Sequence, residues 1–436
     1  MKDTFKKVIV NILIFEAKLV LAKYKPMIIA ITGSVGKTST KDTVYAVISP
    51  FAYVRKSEKS YNSQIGLPLT ILGLSNGWND PVRWALNIFK GLWLFVWPHN
   101  YPKWLVLEVG VGKAGDMKET ASWLKTDVVI ITAIGDTPAH IEFFNSRKHL
   151  VEEKSGLIKT LKRDGLLVLN GDDETVLEMK SKTKCRTVVY GFSEQADFLA
   201  SSDHILYDNK KTKKETFPVG ITFKVDENGK SLPVVIQGVF GRNHVYAGLA
   251  ALAVANGLKL DMLKSIDALQ KYNSPPGRMK VLLGINKTLV IDDTYNSSPF
   301  ACESALNTLG EVKTSGRKIA VLGDMLELGK HTEEAHKNIG KFAKEASNVL
   351  CVVGPRAQFI KLGAIESGME NKDVFEFKDS VLAGEFLKNF VTPNDIILIK
   401  GSQGMRMERT VEAILLDQKN KQNLLVRQDN EWLAKK

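Results

Sequence analysis

Residues 30–39 read Ala-Ile-Thr-Gly-Ser-Val-Gly-Lys-Thr-Ser, and their types and spacing are the strongest sign of chemistry in the chain. They follow an apolar run, Met27 to Ile31, and precede a helical pattern beginning near Lys37. Strand, glycine turn and helix is the arrangement in which backbone N–H groups and a helix N-terminus cradle a polyphosphate. Gly33, Ser34, Val35, Gly36 and Ser39 would shape that cradle, Lys37 would reach the β- and γ-phosphates, and the Thr38 hydroxyl would ligate Mg²⁺. The general pattern wants a first glycine where this chain has Ile31, so only the shorter Thr32-Gly-Ser-Val-Gly-Lys-Thr38 remains. The alternative is a glycine turn with an exposed lysine.

Other groups of residues fall at strand ends. Glu108 closes an apolar run and is followed by Gly110-Val-Gly-Lys-Ala-Gly115, a formal match to the dinucleotide fingerprint that is weak alone. A carboxylate at a strand's C-terminal end near a phosphate loop is better read as a Mg²⁺ ligand or its orienter. His140 follows another strand and a Thr137-Pro138 turn; a lone loop histidine is more often structural. Asp292-Asp-Thr-Tyr-Asn296 ends a further strand with two acids and an amide, where α/β sheets place ligand-contacting groups. Ser298, ahead of Pro299, is the better cap for the helix that follows. Arg278 lies just past Asn273-Ser-Pro-Pro-Gly277 and could reach a phosphate from a neighbouring domain or form a surface salt bridge. His331 and His336 flank two glutamates in the wrong order for a metal helix and are expected on a helix surface.

The elements around these residues alternate as in a parallel sheet covered on both faces. Leu105–Val109, Asp127–Ile134 and Leu166–Asn170 are short apolar strands, followed by a β-rich region at 185–237 and an alanine-rich helix near His244–Asn256. The Pro-Pro-Gly cluster marks a domain boundary. Beyond it Leu289–Asp292, Lys318–Leu322, Val349–Val353 and Ile396–Ile399 read as strands of a second α/β unit. The expected organisation is an apolar and basic helix over 1–26, a phosphate-loop domain over 27–274, and a doubly wound, Rossmann-like domain over 275–436.

Composition supports a globular protein of two or three domains: 436 residues, 44% hydrophobic and 25% charged. The net charge of +12 reads as a solvated basic surface, since no nucleic-acid module accompanies it, and the Lys210–Lys214 cluster looks like an exposed loop. Cys185, Cys302 and Cys351 fit no disulfide or metal spacing, which suits a reducing cytoplasm. Residues 5–22 are interrupted by Asn11, Glu16 and Lys18, and residues 84–97 by Lys90, so neither gives the roughly 20 apolar residues a membrane span needs. As helices they either pack together as an extra buried layer or form a patch that binds weakly, from the cytoplasmic side, to an anionic membrane surface.

Taken together the residues resemble the Mur ligase family, and within it the UDP-N-acetylmuramoyl-tripeptide:D-alanyl-D-alanine ligase type. The resemblance rests, in order, on 30–39, N-S-Q-I-G-L-P-L-T (62–70), L-E-V-G (107–110), A-H-I-E (139–142), E-K-S-G-L-I (153–158), G-R-N-H-V-Y-A (241–247) and P-G-R-M (276–279). It continues through D-D-T-Y-N-S-S-P (292–299), V-L-G-D-M-L-E-L-G (321–329) and K-G-S-Q-G-M-R-M-E (400–408), the three segments that select the type. It implies an ATP-dependent carboxylate–amine ligase of cell-wall peptide synthesis, working through an acyl phosphate on a muramoyl peptide and a D-Ala-D-Ala-like amine. Other readings are the same chemistry on a lipid-linked or polyglutamate-like carboxyl substrate, or a phosphate-loop protein without ligase activity. A monomer that binds no nucleic acid is expected.

By the same resemblance Lys37, Lys154 and His140 are catalytic, Thr38 holds one Mg²⁺, and Glu108 and His140 serve a second. Lys154 occupies the position of a lysine that some family members carbamylate. Arg278 and Asp293 resemble interdomain ATP contacts, and Asn296, Lys400, Ser402 and Glu408 line the incoming amine's side. Two departures follow. Where the family reads G-x-H-N-x-x-N, this chain has Gly241-Arg-Asn-His-Val-Tyr-Ala247, so the adenine contact falls to Asn243 or His244. The type also carries a uridine-nucleotide-binding N-terminal domain, whereas about 26 residues precede the phosphate loop here, so the nucleotide-sugar is expected to be held differently or to be absent from the substrate.

Overall fold

The computed structural model describes residues 2–58, 61–78, 80–136, 138, 141–208, 217–227 and 229–434. His140, Thr137 and the Lys210–Lys214 cluster therefore lie outside the described residues. Among those described, nine strands form a first sheet: β1 (Met27–Thr32), β2 (Val54–Lys56), β3 (Trp104–Glu108), β4 (Thr126–Ile131), β5 (Leu161–Asn170), β6 (Arg186–Gly191), β7 (Phe198–Tyr207), β8 (Pro218–Glu227) and β9 (Lys230–Gln237). Their order is β2-β3-β1-β4-β5-β6-β7-β8-β9, parallel as far as β7 and antiparallel through the last two pairings.

The apolar run at 27–31 forms a central strand because both of its faces find cover. Ile29 and Ile31 point into a core closed by α2 (Lys37–Ile48) and the helix Arg242–Gly257. Ile28 and Ala30 point the other way, into a core shared with α1 (Lys2–Tyr24), α3 (Gly66–Leu72) and α4 (Pro81–Val96). Thus α1 and α4 do pack together. Leu13, Ala17, Val20 and Trp84 are buried in one cluster, and Lys23 Nζ donates to the carbonyls of Phe95 (2.6 Å) and Trp97 (2.9 Å), capping the C-terminal end of α4.

The second sheet contains β10 (Lys280–Leu283), β11 (Leu289–Asp293), β12 (Lys318–Gly323), β13 (Val349–Val353), β14 (Val374–Phe377) and β15 (Ile396–Lys400). The order is β10-β11-β15-β12-β13-β14, with only β10 antiparallel. Alternate residues of β12 again serve opposite cores, Ile319 and Val321 on one face, Ala320 and Leu322 on the other, so the sheet is doubly wound.

Two registers set up the site. Ile31 lies opposite Glu108, which brings the phosphate loop beside the end of β3, and Asp293 lies opposite Lys400 across β11 and β15. One expectation is corrected here. His336 is fully buried and not on a helix surface: its Nδ1 donates to the Thr332 carbonyl (2.6 Å) and its Nε2 accepts from the Met325 N–H (3.0 Å), tying its helix to the loop after β12. Spacing alone could not tell which face of that helix meets the sheet.

Candidate active site

The loop after β1 is bent by glycine. Gly33 has φ +146° and Gly36 φ +86°, and a Cβ on Gly33 would sit 2.0 Å from Thr132 Oγ1. The Ser34 and Val35 N–H groups are already used, both donating to the Ala133 carbonyl at 2.8 and 3.1 Å. What the loop offers an anion is therefore the first turn of α2, where the N–H groups of Lys37, Thr38 and Ser39 have no partner within the helix. Lys37 folds back onto the loop, donating to the carbonyls of Gly33 (2.9 Å) and Ser34 (3.3 Å). Burial lowers its pKa, against an opposing pull from Glu108.

Glu108 is buried and fully engaged. Thr38 Oγ1 donates to one carboxylate oxygen (3.0 Å), Asn62 Nδ2 donates to the other (3.0 Å), and the Glu108 N–H donates to Ser57 Oγ (3.2 Å). Arg278 reaches over from the second domain, its guanidinium donating to Thr38 Oγ1 (3.1 Å) and lying 3.9 Å from the centre of the Tyr295 ring. A hydroxyl and a braced carboxylate at the mouth of a phosphate loop suit Mg²⁺, which keeps several waters and takes few protein ligands. The described residues contain no cluster of three metal-binding side chains.

Lys154, on the helix Arg147–Ser155, is buried and donates to the same Gly33 carbonyl as Lys37, at 2.9 Å. Burial and the neighbouring Lys37 cation hold its pKa well below the usual lysine range, which favours the neutral amine. His244 is also buried and its pKa is lowered to about 4 by burial. As a neutral ring it donates from Nε2 to the Arg278 carbonyl (2.9 Å), so Nδ1 is a bare acceptor with no partner among the described residues. Ser34 Oγ and Arg278 Nε are likewise buried and unpartnered among the described residues. Orphaned polar atoms gathered around one loop mark a place built for a polar ligand.

Ser34, Lys37, Thr38, Asn62, Glu108, His244 and Arg278 line a cavity of about 400 Å³ that also takes in Asn243, Asp293, Asn296, Lys400 and Gln403, whereas Lys154 is joined to it through the Gly33 carbonyl and is not in its wall. A second cavity of about 460 Å³ shares Val35, Gly36 and Asn243 with it and runs past Asn170, Tyr190, Tyr246 and Arg147. At the far wall Lys400 donates to Asp293 (2.6 Å) and to the Asn296 carbonyl (3.0 Å), while the Met279 N–H donates to the other Asp293 oxygen (3.2 Å). Asp292, its pKa raised to about 6 by burial, accepts from Gly277 N–H (3.0 Å) and so fixes the Pro-Pro-Gly turn that delivers Arg278.

The structure thus brings together Gly33, Ser34, Val35, Gly36, Lys37, Thr38, Ser39, Glu108, Lys154, Asn243, His244, Arg278, Asp293, Asn296 and Lys400. Two residues stand apart. Glu408 is buried in an ion-paired triad, receiving Arg406 Nε (2.5 Å) and an Arg427 nitrogen (2.9 Å), and Ser402 Oγ accepts from the Leu326 N–H (2.8 Å). Neither lines the cavities. The 110–115 loop is also occupied. Asp116 accepts from Gly112 and Lys113 N–H groups and Glu153 from those of Gly115 and Met117, so the dinucleotide reading has no open anion site. Asn62, Arg147, Asn170 and Tyr246 carried no functional signal of their own, although Asn62 and Tyr246 fall inside the segments 62–70 and 241–247 singled out in the sequence.

A phosphate loop on a mostly parallel sheet, faced by a second doubly wound domain, defines a phosphate-loop α/β protein with an interdomain site. Residues 31–255 match the Mur ligase middle domain and 277–403 the Mur ligase glutamate ligase domain, and the chain belongs to the Mur ligase family. It is 27% identical over 400 residues to the UDP-N-acetylmuramoyl-tripeptide–D-alanyl-D-alanine ligase of Bacillus subtilis, covering 92% of this chain and 78% of that protein. The Escherichia coli ligase of the same name is 27% identical over 395 residues, covering 89% and 76%. Among solved structures, MurF ligase from Thermotoga maritima in complex with ADP superposes with a TM-score of 0.75 at 24% identity, covering 93% of this chain and 83% of that one.

Proposed function

We propose that this protein is an ATP-dependent ligase that joins a D-Ala-D-Ala-type amine to the terminal carboxyl group of a UDP-muramoyl tripeptide. The observation that carries this reading is the convergence of Lys37, Thr38, Glu108 and Lys154 on one loop, with Arg278 added from the second domain. The substrate carboxylate attacks the γ-phosphorus, breaking its bond to the β-phosphate oxygen and giving an acyl phosphate and ADP. The amine then attacks the acyl carbon, loses a proton, and expels phosphate. Both steps move negative charge, which preorganised cations in a dry site stabilise.

In this scheme Lys37 leaves the Gly33 and Ser34 carbonyls for the β- and γ-phosphates. Arg278, stacked on Tyr295, answers domain closure by adding a second cation. Thr38 and Glu108 would hold Mg²⁺, which when bound neutralises phosphate charge, and His140 is assigned beside them by resemblance. A neutral Lys154 amine is the form that reacts with CO₂, and a carbamate there would set an anion against Lys37. Asn243 and the bare Nδ1 of His244 face the nucleoside, and Asp293 its ribose. Asn296 and Lys400 face the amine substrate.

The same cavities suit a second reading in which the muramoyl peptide is carried on a lipid and not on a uridine nucleotide; the exposed apolar surface of α4 is what favours it. The test is ADP formation with each carboxyl substrate, with and without D-Ala-D-Ala. Activity on the nucleotide-linked tripeptide with the dipeptide supports the first reading. Turnover only with the lipid-linked peptide supports the second.

A further inference from the structure

Helix α4 carries large apolar side chains on its uncovered side as well as on its covered one. Trp84, Asn87 and Gly91 face the core, three and four residues apart. Val82, Leu86, Phe89, Trp93 and Trp97 recur at i, i+4, i+7, i+11 and i+15, which places them on the opposite side. They are exposed, Phe89 by 61%, Trp93 by 45% and Trp97 by 56%. The three rings form a ladder, stacked at 6.0 Å between Phe89 and Trp93 and 5.1 Å between Trp93 and Trp97. A contiguous patch of this kind is not left to water without a use.

Charge identifies the occupant. Arg83 and Lys90 lie about 60–80° from the centre of the stripe by the helical repeat, both exposed on one flank. Lys90 also lines a cavity of about 320 Å³ with Arg55 and Lys56, opposite a single acid, Glu58. Helix α1, packed beside α4, exposes Val8 and Phe15 together with Lys7 and Lys18. Helix α4 itself contains no acid, and its N-cap Asp80 is engaged, its carboxylate capping the helix and pairing with Arg83. A second copy of the chain would bring two cationic rims together, whereas an anionic lipid surface meets the same rim with opposite charge. No helix among the described residues is long and apolar enough to cross a membrane.

We propose that the exposed face of α4, flanked by Arg83 and Lys90 and extended by α1, is a docking surface for an anionic membrane. Tryptophan rings, with an apolar body and a polar N–H, suit the headgroup boundary, and an apolar stripe with a basic flank lies in that boundary without spanning it. The docking does not depend on which substrate the ligase uses.

The test is co-sedimentation of the full-length protein with vesicles of phosphatidylglycerol and phosphatidylethanolamine, and with vesicles of phosphatidylcholine alone, in low salt. The expected result is at least about tenfold stronger partitioning onto the anionic vesicles, falling steeply as salt is raised. The double variant Trp93→Ser/Trp97→Ser changes exposed residues that line neither of the two cavities at the phosphate loop and should lose that binding while keeping its melting temperature and rate of ADP formation. Lys90→Glu, a single surface change, should weaken it several-fold. Failure of the wild type to bind anionic vesicles would overturn the proposal, as would undiminished binding by the double variant. A dimer in sedimentation velocity that the double variant abolishes would also overturn it, by assigning the face to a second copy.

Discussion

Glu16 offers a test of the packing between α1 and α4 that needs no substrate. Its side chain is buried against α4, so closely that a Cβ on Gly91 would sit 2.1 Å from its Oε2. Neither carboxylate oxygen has a hydrogen-bond partner among the described residues, and burial raises its pKa from 4.5 to about 7. A carboxyl whose folded pKa lies above its unfolded value stabilises the fold fully below pH about 4.5 and loses that contribution as pH rises through about 7. At about 1.4 kcal/mol per pKa unit the full loss from this group is about 3–4 kcal/mol, of which about 2–3 kcal/mol falls between pH 5 and 8. Glu16→Gln keeps the shape but does not titrate. The variant's melting temperature, measured beside wild type at pH 5, 6, 7 and 8, should therefore gain on wild type across that window. For a unit of 150–250 residues the gain is on the order of 5–10 °C. Comparing the two proteins at each pH removes the titration of every shared group. A gap that stays constant from pH 5 to 8 would refute the buried, unpaired carboxylate.

Three further outcomes follow from the site. Lys37→Ala should lower ADP formation by at least about 10²-fold, because a fixed cation is lost where charge develops, and a near-wild-type rate would remove the loop from catalysis. Glu108→Gln should shift the Mg²⁺ titration to higher concentration as well as slowing turnover; an unmoved titration would exclude it as a ligand. Glu408→Gln leaves Arg406 and Arg427 buried without their anion, at a cost of about 3–5 kcal/mol, and should lower the melting temperature. Its KM for the amine should stay unchanged, whereas a selective rise in that KM with full stability would put Glu408 on the substrate.

The loop at 30–39, the strands around it and the acids at 292–293 were legible because each signal is local: an apolar run, a glycine turn, a helix start. The pairing of distant residues was not. Asn62 meets Glu108 across 46 positions, and Lys154 reaches the Gly33 carbonyl across 121. The family resemblance supplied Glu108 and Lys154, but no spacing could say that Lys154 and Lys37 share one acceptor. Glu408 read as a substrate residue because its triad closes only when Arg427, 19 residues on, folds back beneath it. His336 and Glu16 show the same limit in helices, where sequence gives the stripe a residue lies on but not which stripe is covered. The short strand β14 escaped notice because Glu376 breaks Val-Phe-Glu-Phe, which lacks the unbroken apolar run that marked the equally short strands at 289–292 and 396–399.

The most direct test of the central claim is ADP and phosphate release by the purified protein with ATP, Mg²⁺, UDP-muramoyl tripeptide and D-Ala-D-Ala. The account predicts release that requires both substrates and yields a peptide product longer by two D-alanines, with Lys37→Ala silent. ATP turnover that is absent with this pair, yet supported by a different carboxyl and amine pair, would contradict the assigned substrates.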